Sequence, residues 1–272
     1  MKFIEKLAGS MARRDSLLCV GLDPPQELVD RLGFANYADF NLAIIEATAG
    51  YVCAYKPQFA HYASVGREQD LEATIAAVRH HRPDIPVILD AKRGDIGNTA
   101  IQYAREAFER YQADAVTVNP YMGMDTLQPF VRYADRGVFV LVKTSNPGSK
   151  DFQDQPLASG EPLFRAVARA AASLGPNVGF VVGATYPAQL RELRAEFPDT
   201  VMLVPGIGAQ GGDLAQVIAA GIDRDARGIV INASRGILLA DPGKSGREPY
   251  LAAVESAART LRDEINQLRP AS

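Results

Sequence analysis

The sequence has no excess of positive charge: 29 Lys and Arg stand against 32 Asp and Glu, giving a formal net charge of −3. That balance excludes a broad nucleic-acid footprint, so any anion site must be local. No apolar run approaches the ~20 residues needed to span a bilayer. Met1 to Asp15 lacks the continuous apolar stretch of a secretory signal. Within it, Phe3, Leu7 and Met11 recur every fourth residue among Lys2, Lys6, Arg13 and Arg14. The pattern predicts a short amphipathic helix over residues 1–15 that closes the bottom of the fold rather than entering a membrane. Cysteine is scarce: Cys19 and Cys53 both sit in apolar runs, with no zinc-type spacing. If Asp23 and Lys56 point inward, strand parity puts the two thiols on opposite faces and excludes a bridge. Two buried thiols suit a reducing cytoplasm. A dinucleotide-type glycine fingerprint is also missing, since the first apolar run ends in Gly21-Leu22-Asp23-Pro24-Pro25.

What is present is ordinary globular material, 47% hydrophobic and 22% charged, enough for one large core. Eight short apolar runs recur, at Leu17–Leu22, Tyr51–Tyr55, Pro86–Leu89, Ala115–Val118, Val138–Val142, Val178–Val182, Val201–Val204 and Gly228–Ile231. They start roughly thirty residues apart, about the length of a βαβ unit. Short, continuous and bounded by turn residues, they read as strands buried on both faces. Helical repeats lie between and after them, as in Ile101, Ala104, Phe108 and Tyr111, or Leu251, Val254, Ala258, Leu261, Ile265 and Leu268. Eight strands alternating with helices and no linker predict an α/β fold, a single (β/α)₈ TIM barrel over residues 1–272. A doubly wound open sheet is the alternative. The longest polar connection, Ser145 to Glu161, reads equally as a lid over the site and as a tolerated surface insertion.

A TIM barrel keeps its active site at the C-terminal ends of its strands. Polar residues stand where the apolar runs stop: Asp23, Lys56, Asp90, Lys92 and Asp95, then Asn119, Lys143 to Ser145, Pro205 to Gly208, and Ser234 to Gly236. So many polar groups on one rim are costly to dehydrate without a ligand. Asp90 and Lys92 are two apart, so an extended backbone aims both into the lumen, and Asp95 approaches from the loop. Flanking carboxylates hold an amine in its charged form. A Schiff-base nucleophile needs the neutral amine, whereas a proton donor needs the ammonium, so the pattern favours an acid. A buried ionic brace remains the non-catalytic reading. Gly206 to Gly212 and Arg235 occupy the loops after strands seven and eight, the usual phosphate site of this barrel. Together these features point to a phosphorylated substrate and proton-transfer chemistry.

Asp90-Ala91-Lys92-Arg93-Gly94-Asp95-Ile96 resembles the Asp-x-Lys-x-x-Asp signature of orotidine 5′-phosphate decarboxylases. Leu18–Asp23, Tyr55–Gln58, Thr117–Gly123, Lys143–Gly148 and Pro205–Gly208 also resemble that family, in the expected order and nearest its longer bacterial branch. The resemblance implies decarboxylation of orotidine 5′-phosphate to uridine 5′-phosphate, the last step of de novo UMP synthesis, with neither metal nor cofactor. It implies that Lys92 protonates C6 and that Asp90 lies near the departing carboxylate. Asp95, Ile96 and Thr99 would cross a homodimer interface into the partner's site. Asp23 and Lys56 would bind ribose hydroxyls, and Ser145 the pyrimidine, with Pro205 packed nearby. Gly208 would belong to the phosphate loop, and Gln210 and Arg235 would hold the phosphate. Many shorter relatives carry a longer phosphate loop than the compact Gly206 to Asp213. Three alternatives stand beside this reading: a magnesium-dependent sugar-phosphate decarboxylase or synthase with the same signature, a Schiff-base aldolase on Lys92, and a barrel that binds a nucleotide without turnover.

Overall fold

The computed structural model describes residues 1–207, 211–240 and 246–270. Its eight strands are β1 (Leu18–Gly21), β2 (Ala54–Lys56), β3 (Ile88–Arg93), β4 (Ala115–Val118), β5 (Gly137–Lys143), β6 (Val178–Val182), β7 (Met202–Pro205) and β8 (Ile229–Ala233). They form one sheet in the order β2-β1-β8-β7-β6-β5-β4-β3, and every ladder is parallel. Two isolated parallel bridges, Tyr55 to Val87 and Gln58 to Asp90, join its ends. Helices alternate with the strands, which makes the chain a TIM barrel. Because both strand faces are covered, β1, β4, β6 and β8 are buried at every position.

Local chemistry sets the helices. Asn36 caps Tyr37–Thr48 by accepting from the Asp39 amide at 2.8 Å, and Asp213 caps Leu214–Gly221 through the Gln216 amide at 3.1 Å. The C-terminal helix spans Arg247–Leu268 and buries Tyr250, Val254, Ala258 and Ile265. In the helix after β3, the buried stripe starts at Ala100 rather than at Ile101, which is 37% exposed. Ala100, Ala104, Phe108 and Tyr111 share the inner face, and the helix Gly97–Arg105 runs on as a π turn through Glu106–Arg110. At the other end of the chain, Phe3–Arg14 is a helix that buries Phe3, Leu7 and Met11. Phe3 meets the Phe139 ring edge-on at 5.7 Å and covers Gly137, where an added Cβ would lie 2.4 Å from the Phe3 ring. Among the described residues, no helix is long and apolar enough to cross a membrane.

One strand differs from its expected span. β3 does not stop at Leu89 but runs on through Asp90, Ala91 and Lys92 to Arg93. Its apolar run ends where its side chains turn polar, yet its backbone keeps sheet partners: the Asp90 amide donates to Pro57 O at 2.9 Å and the Asn119 amide to Arg93 O at 2.7 Å. The register against β4 shifts between Leu89 and Arg93, and Lys92 has φ of +48°. The extended backbone assumed for Asp90 and Lys92 is thus replaced by a bulge. A bulge re-aims a side chain, and a lysine in the left-handed region persists only where its surroundings hold it there.

Candidate active site

A cavity of about 920 Å³ opens at the C-terminal ends of the strands. Its floor is half apolar, with Leu141, Val181 and Leu203, and half polar, with Lys56, Asp90 and Thr117. Asp90 is the centre of the polar half. Its Oδ2 accepts from Lys56 Nζ at 2.9 Å, and its Oδ1 accepts from Lys92 Nζ at 2.6 Å and from Thr117 Oγ1 at 2.9 Å. The Lys92 amide in turn donates to Thr117 Oγ1 at 3.0 Å, which fixes the bulge that carries the lysine. Burial pushes the Asp90 carboxyl up, but Lys56 and Lys92 outweigh it and hold the group well below the usual carboxylate range. Burial likewise works to lower Lys56, yet Asp90 and then Asp23 keep its ammonium above its ordinary value. Asp90 and Lys56 are almost wholly buried, whereas the Lys92 side chain is 44% exposed and lines the open cavity. The arrangement presents a partly exposed ammonium to a ligand while its counter-ion is buried below.

Of the two carboxylates expected at Lys92, this chain brings only Asp90. Asp95 lies beyond β3, where its Oδ1 accepts from the adjacent Ile96 amide at 2.8 Å, and it does not line the cavity. Ile96 is 62% exposed and Thr99 is also exposed. These three therefore share a surface beside the mouth rather than a place inside it.

The other expected residues gather at the rim. Asp23 accepts from Ser234 Oγ at 2.6 Å and from the Gln58 amide at 3.0 Å, locking β1 to the segments after β8 and β2. Ser145, Pro205 and Arg235 line the cavity. Ser145 passes over Gly183 so closely that an added Cβ would lie 2.6 Å from the Ser145 Cα, so only glycine fits there. The loop after β7 begins with Gly206 and Ile207 in the cavity wall, and the Gly212 amide donates back to Gly206 O at 3.2 Å. Gly208 and Gln210 lie outside the described residues. Asn119 shapes a turn: its Oδ1 accepts from the Tyr121 amide at 3.0 Å, and it does not line the cavity.

The connection after β5 is packed rather than loose. The fully buried Lys143 Nζ reaches Asp154 at 2.7 Å and Ser149 at 3.1 Å beneath the Tyr186 ring, while Gln153 bonds Thr144 at both its amide and hydroxyl. Only Thr144, Ser145 and Asn146 of this stretch line the cavity.

These motifs match known proteins over nearly the whole chain. The model of the orotidine 5′-phosphate decarboxylase / HUMPS family matches residues 16–248. The chain belongs to that family. It is 49% identical to the orotidine 5′-phosphate decarboxylase of Paracidovorax citrulli, covering 99% of this chain and 100% of the relative. Identity to the enzyme of the same name from Ralstonia nicotianae is 48%, with 99% and 100% covered. Among solved structures, Leishmania donovani OMP decarboxylase is 42% identical, with a TM-score of 0.86 and full coverage of both chains. Against this decarboxylase-family background, two polar residues of the cavity floor stand out as having had no role in the sequence reading. Thr117 is hidden as a β-branched residue in a strand, and Asn232 stands directly after the Gly228–Ile231 run, a polar run-end residue that was passed over in favour of Ser234 to Gly236. Both sit at lumen-facing positions, which two-residue alternation from a known inward side chain locates once the register is known.

Proposed function

We propose that the protein decarboxylates orotidine 5′-phosphate to uridine 5′-phosphate without a metal, with Lys92 as the proton donor. The observation that supports this most is the Lys56–Asp90–Lys92 chain on the cavity floor. In the reaction the bond from C6 to the carboxylate breaks and carbon dioxide leaves. The bonding electron pair stays on C6. The Lys92 ammonium stabilises that developing charge and then transfers a proton to C6, leaving a neutral amine that solvent reprotonates. Asp90 holds the Lys92 Nζ in place at 2.6 Å and, in this reading, lies beside the position of the substrate carboxylate. An amine so paired is a poor Schiff-base nucleophile. Asp90 is already matched by two ammonium groups, so it has little charge left to offer a divalent cation. Asp23 and Lys56 then serve the ribose, Ser145 and Pro205 the base, and Arg235 with the loop containing Gly208 and Gln210 the phosphate, whose binding energy orders the site.

The functional unit in this reading is a homodimer. Asp95, Ile96 and Thr99 enter the partner's cavity and supply the second carboxylate that Lys92 lacks in one chain. The exposed Tyr121 and Met122, 81% and 54% accessible, add apolar surface for such a contact. Two free buried thiols, Cys19 and Cys53, fit a cytoplasmic enzyme.

The test is loss of orotidine 5′-phosphate, followed by ultraviolet absorbance with EDTA present. Turnover should persist in EDTA and nearly vanish in Lys92→Ala. Activity abolished by EDTA and restored by magnesium would favour the magnesium-dependent chemistry instead. Mixing inactive Lys92→Ala and Asp95→Ala chains should restore part of the activity; no recovery after verified subunit exchange would remove the shared-site reading.

A further inference from the structure

Among the described residues of the cavity floor, Asn232 is the one whose polarity the fold does not account for. Its Cα partners are Cys19 on β1 and Pro205 on β7. Two residues further on, Ser234 holds Asp23 through its hydroxyl. Asn232 is 9% exposed and lines the cavity, and its Oδ1 is fully buried with no hydrogen-bond partner. No described residue bonds its Nδ2 either. An unmet buried polar group costs about 1–3 kcal/mol, so in the empty cavity a leucine of similar shape would be the more stable choice. Lys56, Asp90 and Thr117 on the same floor each have hydrogen-bond partners there.

We infer that Asn232 is a substrate-contacting residue whose carboxamide hydrogen-bonds the pyrimidine ring of the nucleotide and so helps select the base. This rests on the decarboxylase reading above. The charge of the partner decides the assignment. Arg235 at the rim suits a phosphate, and the ammonium groups of Lys56 and Lys92 suit anionic or hydroxyl partners. A neutral amide, with one donating and one accepting end, matches the carbonyl and N–H edge of a neutral base. Its neighbour across the β7 ladder is Pro205, which that reading packs against the same ring.

Asn232→Leu, Asn232→Ala and the wild type are to be compared by calorimetric binding of UMP and of ribose 5-phosphate, with thermal melts and orotidine 5′-phosphate kinetics alongside. Asn232→Leu should melt at or above the wild-type temperature, bind UMP about tenfold more weakly, raise KM and leave ribose 5-phosphate affinity unchanged. Asn232→Ala should show the same selectivity, and it carries the test if the leucine variant does not fold. Unchanged UMP affinity in a cooperatively melting variant overturns the inference, as does a parallel loss of UMP and ribose 5-phosphate. Absence of turnover in the wild type would instead sink the decarboxylase reading, while the UMP against ribose 5-phosphate comparison still reads the amide contact.

Discussion

Replacing Asp90 by Asn keeps the shape of the cavity floor but removes the carboxylate that pairs directly with both of its lysines. Asp90 lies 2.9 Å from Lys56 Nζ and 2.6 Å from Lys92 Nζ. Leaving one partner of a buried ion pair unmatched costs about 3–5 kcal/mol. The Lys92 half contributes less, because a 44% exposed side chain is screened by water. The Lys56 half is almost wholly buried and dominates, so the expected loss is about 3 kcal/mol at pH 7. At roughly 2–4 °C per kcal/mol for a chain of this size, the melting temperature should fall by roughly 6–12 °C. The pH dependence gives a sharper check. In the wild type, the lowered Asp90 contributes stability that is present above its unfolded value of 3.8 and lost as pH falls through its folded value. The raised Lys56 contributes stability that is present below 10.5 and lost as pH rises through its folded value. The pair is therefore complete across neutral pH. In Asp90→Asn, burial, the largest influence on Lys56, is opposed only by the smaller pulls of Asp23 and Cys19, so Lys56 is expected to fall below its ordinary value and the unfolded chain to bind more protons than the folded one. Stability of the variant should then rise between pH 7 and pH 10, where the wild type gains nothing from this pair. Thermal melts by circular dichroism across that range measure both effects. A variant that melts within about 2 °C of the wild type at pH 7, with no gain at pH 10, would refute the claim that Asp90 pins these two lysines.

Three further outcomes are expected. Gly183→Ala places a Cβ 2.6 Å from the Ser145 Cα, so steady-state assays should show a raised KM and melts a loss of about 1–3 kcal/mol. Gly137→Ala drives a Cβ into the Phe3 ring at 2.4 Å; it should destabilise by a similar amount, and Phe3→Leu should recover part of that loss in a double-mutant cycle. Burial pushes the Cys19 thiol up to about 12 and raises Cys53 well above its ordinary value. Neither thiol should then react with a chromogenic disulfide in the native protein, and both should react after unfolding.

The strands were legible because a parallel barrel buries both faces of each one, so apolar continuity alone marks them. β4 and β6 coincide with their apolar runs, whereas β3 outlasts its run by four residues, Asp90 to Arg93. Hydropathy cannot report a strand whose last inward side chains are matched ionically inside a lumen. It cannot report a backbone bulge either, and the left-handed Lys92 replaces the alternation that was expected to aim it. The rim residues Asp23, Ser145, Pro205 and Arg235 were readable as polar groups at run ends. Thr117 lies inside its apolar run, where only the register reveals the inward face, whereas Asn232 directly follows the Gly228–Ile231 run and was masked because β8 continues two residues past the end of that run. Lys143 stood at a run end like the others, but its charge is used to clamp the following loop rather than to face the cavity.

The barrel seam between β2 and β3 is held by two isolated bridges, Tyr55 to Val87 and Gln58 to Asp90. The Lys56–Asp90 contact crosses the same seam. One ionic rivet thus fastens the hoop where its stitching is sparsest and also primes the neighbouring ammonium. Wear at that rivet would show first as faster amide exchange at Tyr55 and Asp90, before the rest of the cylinder opened.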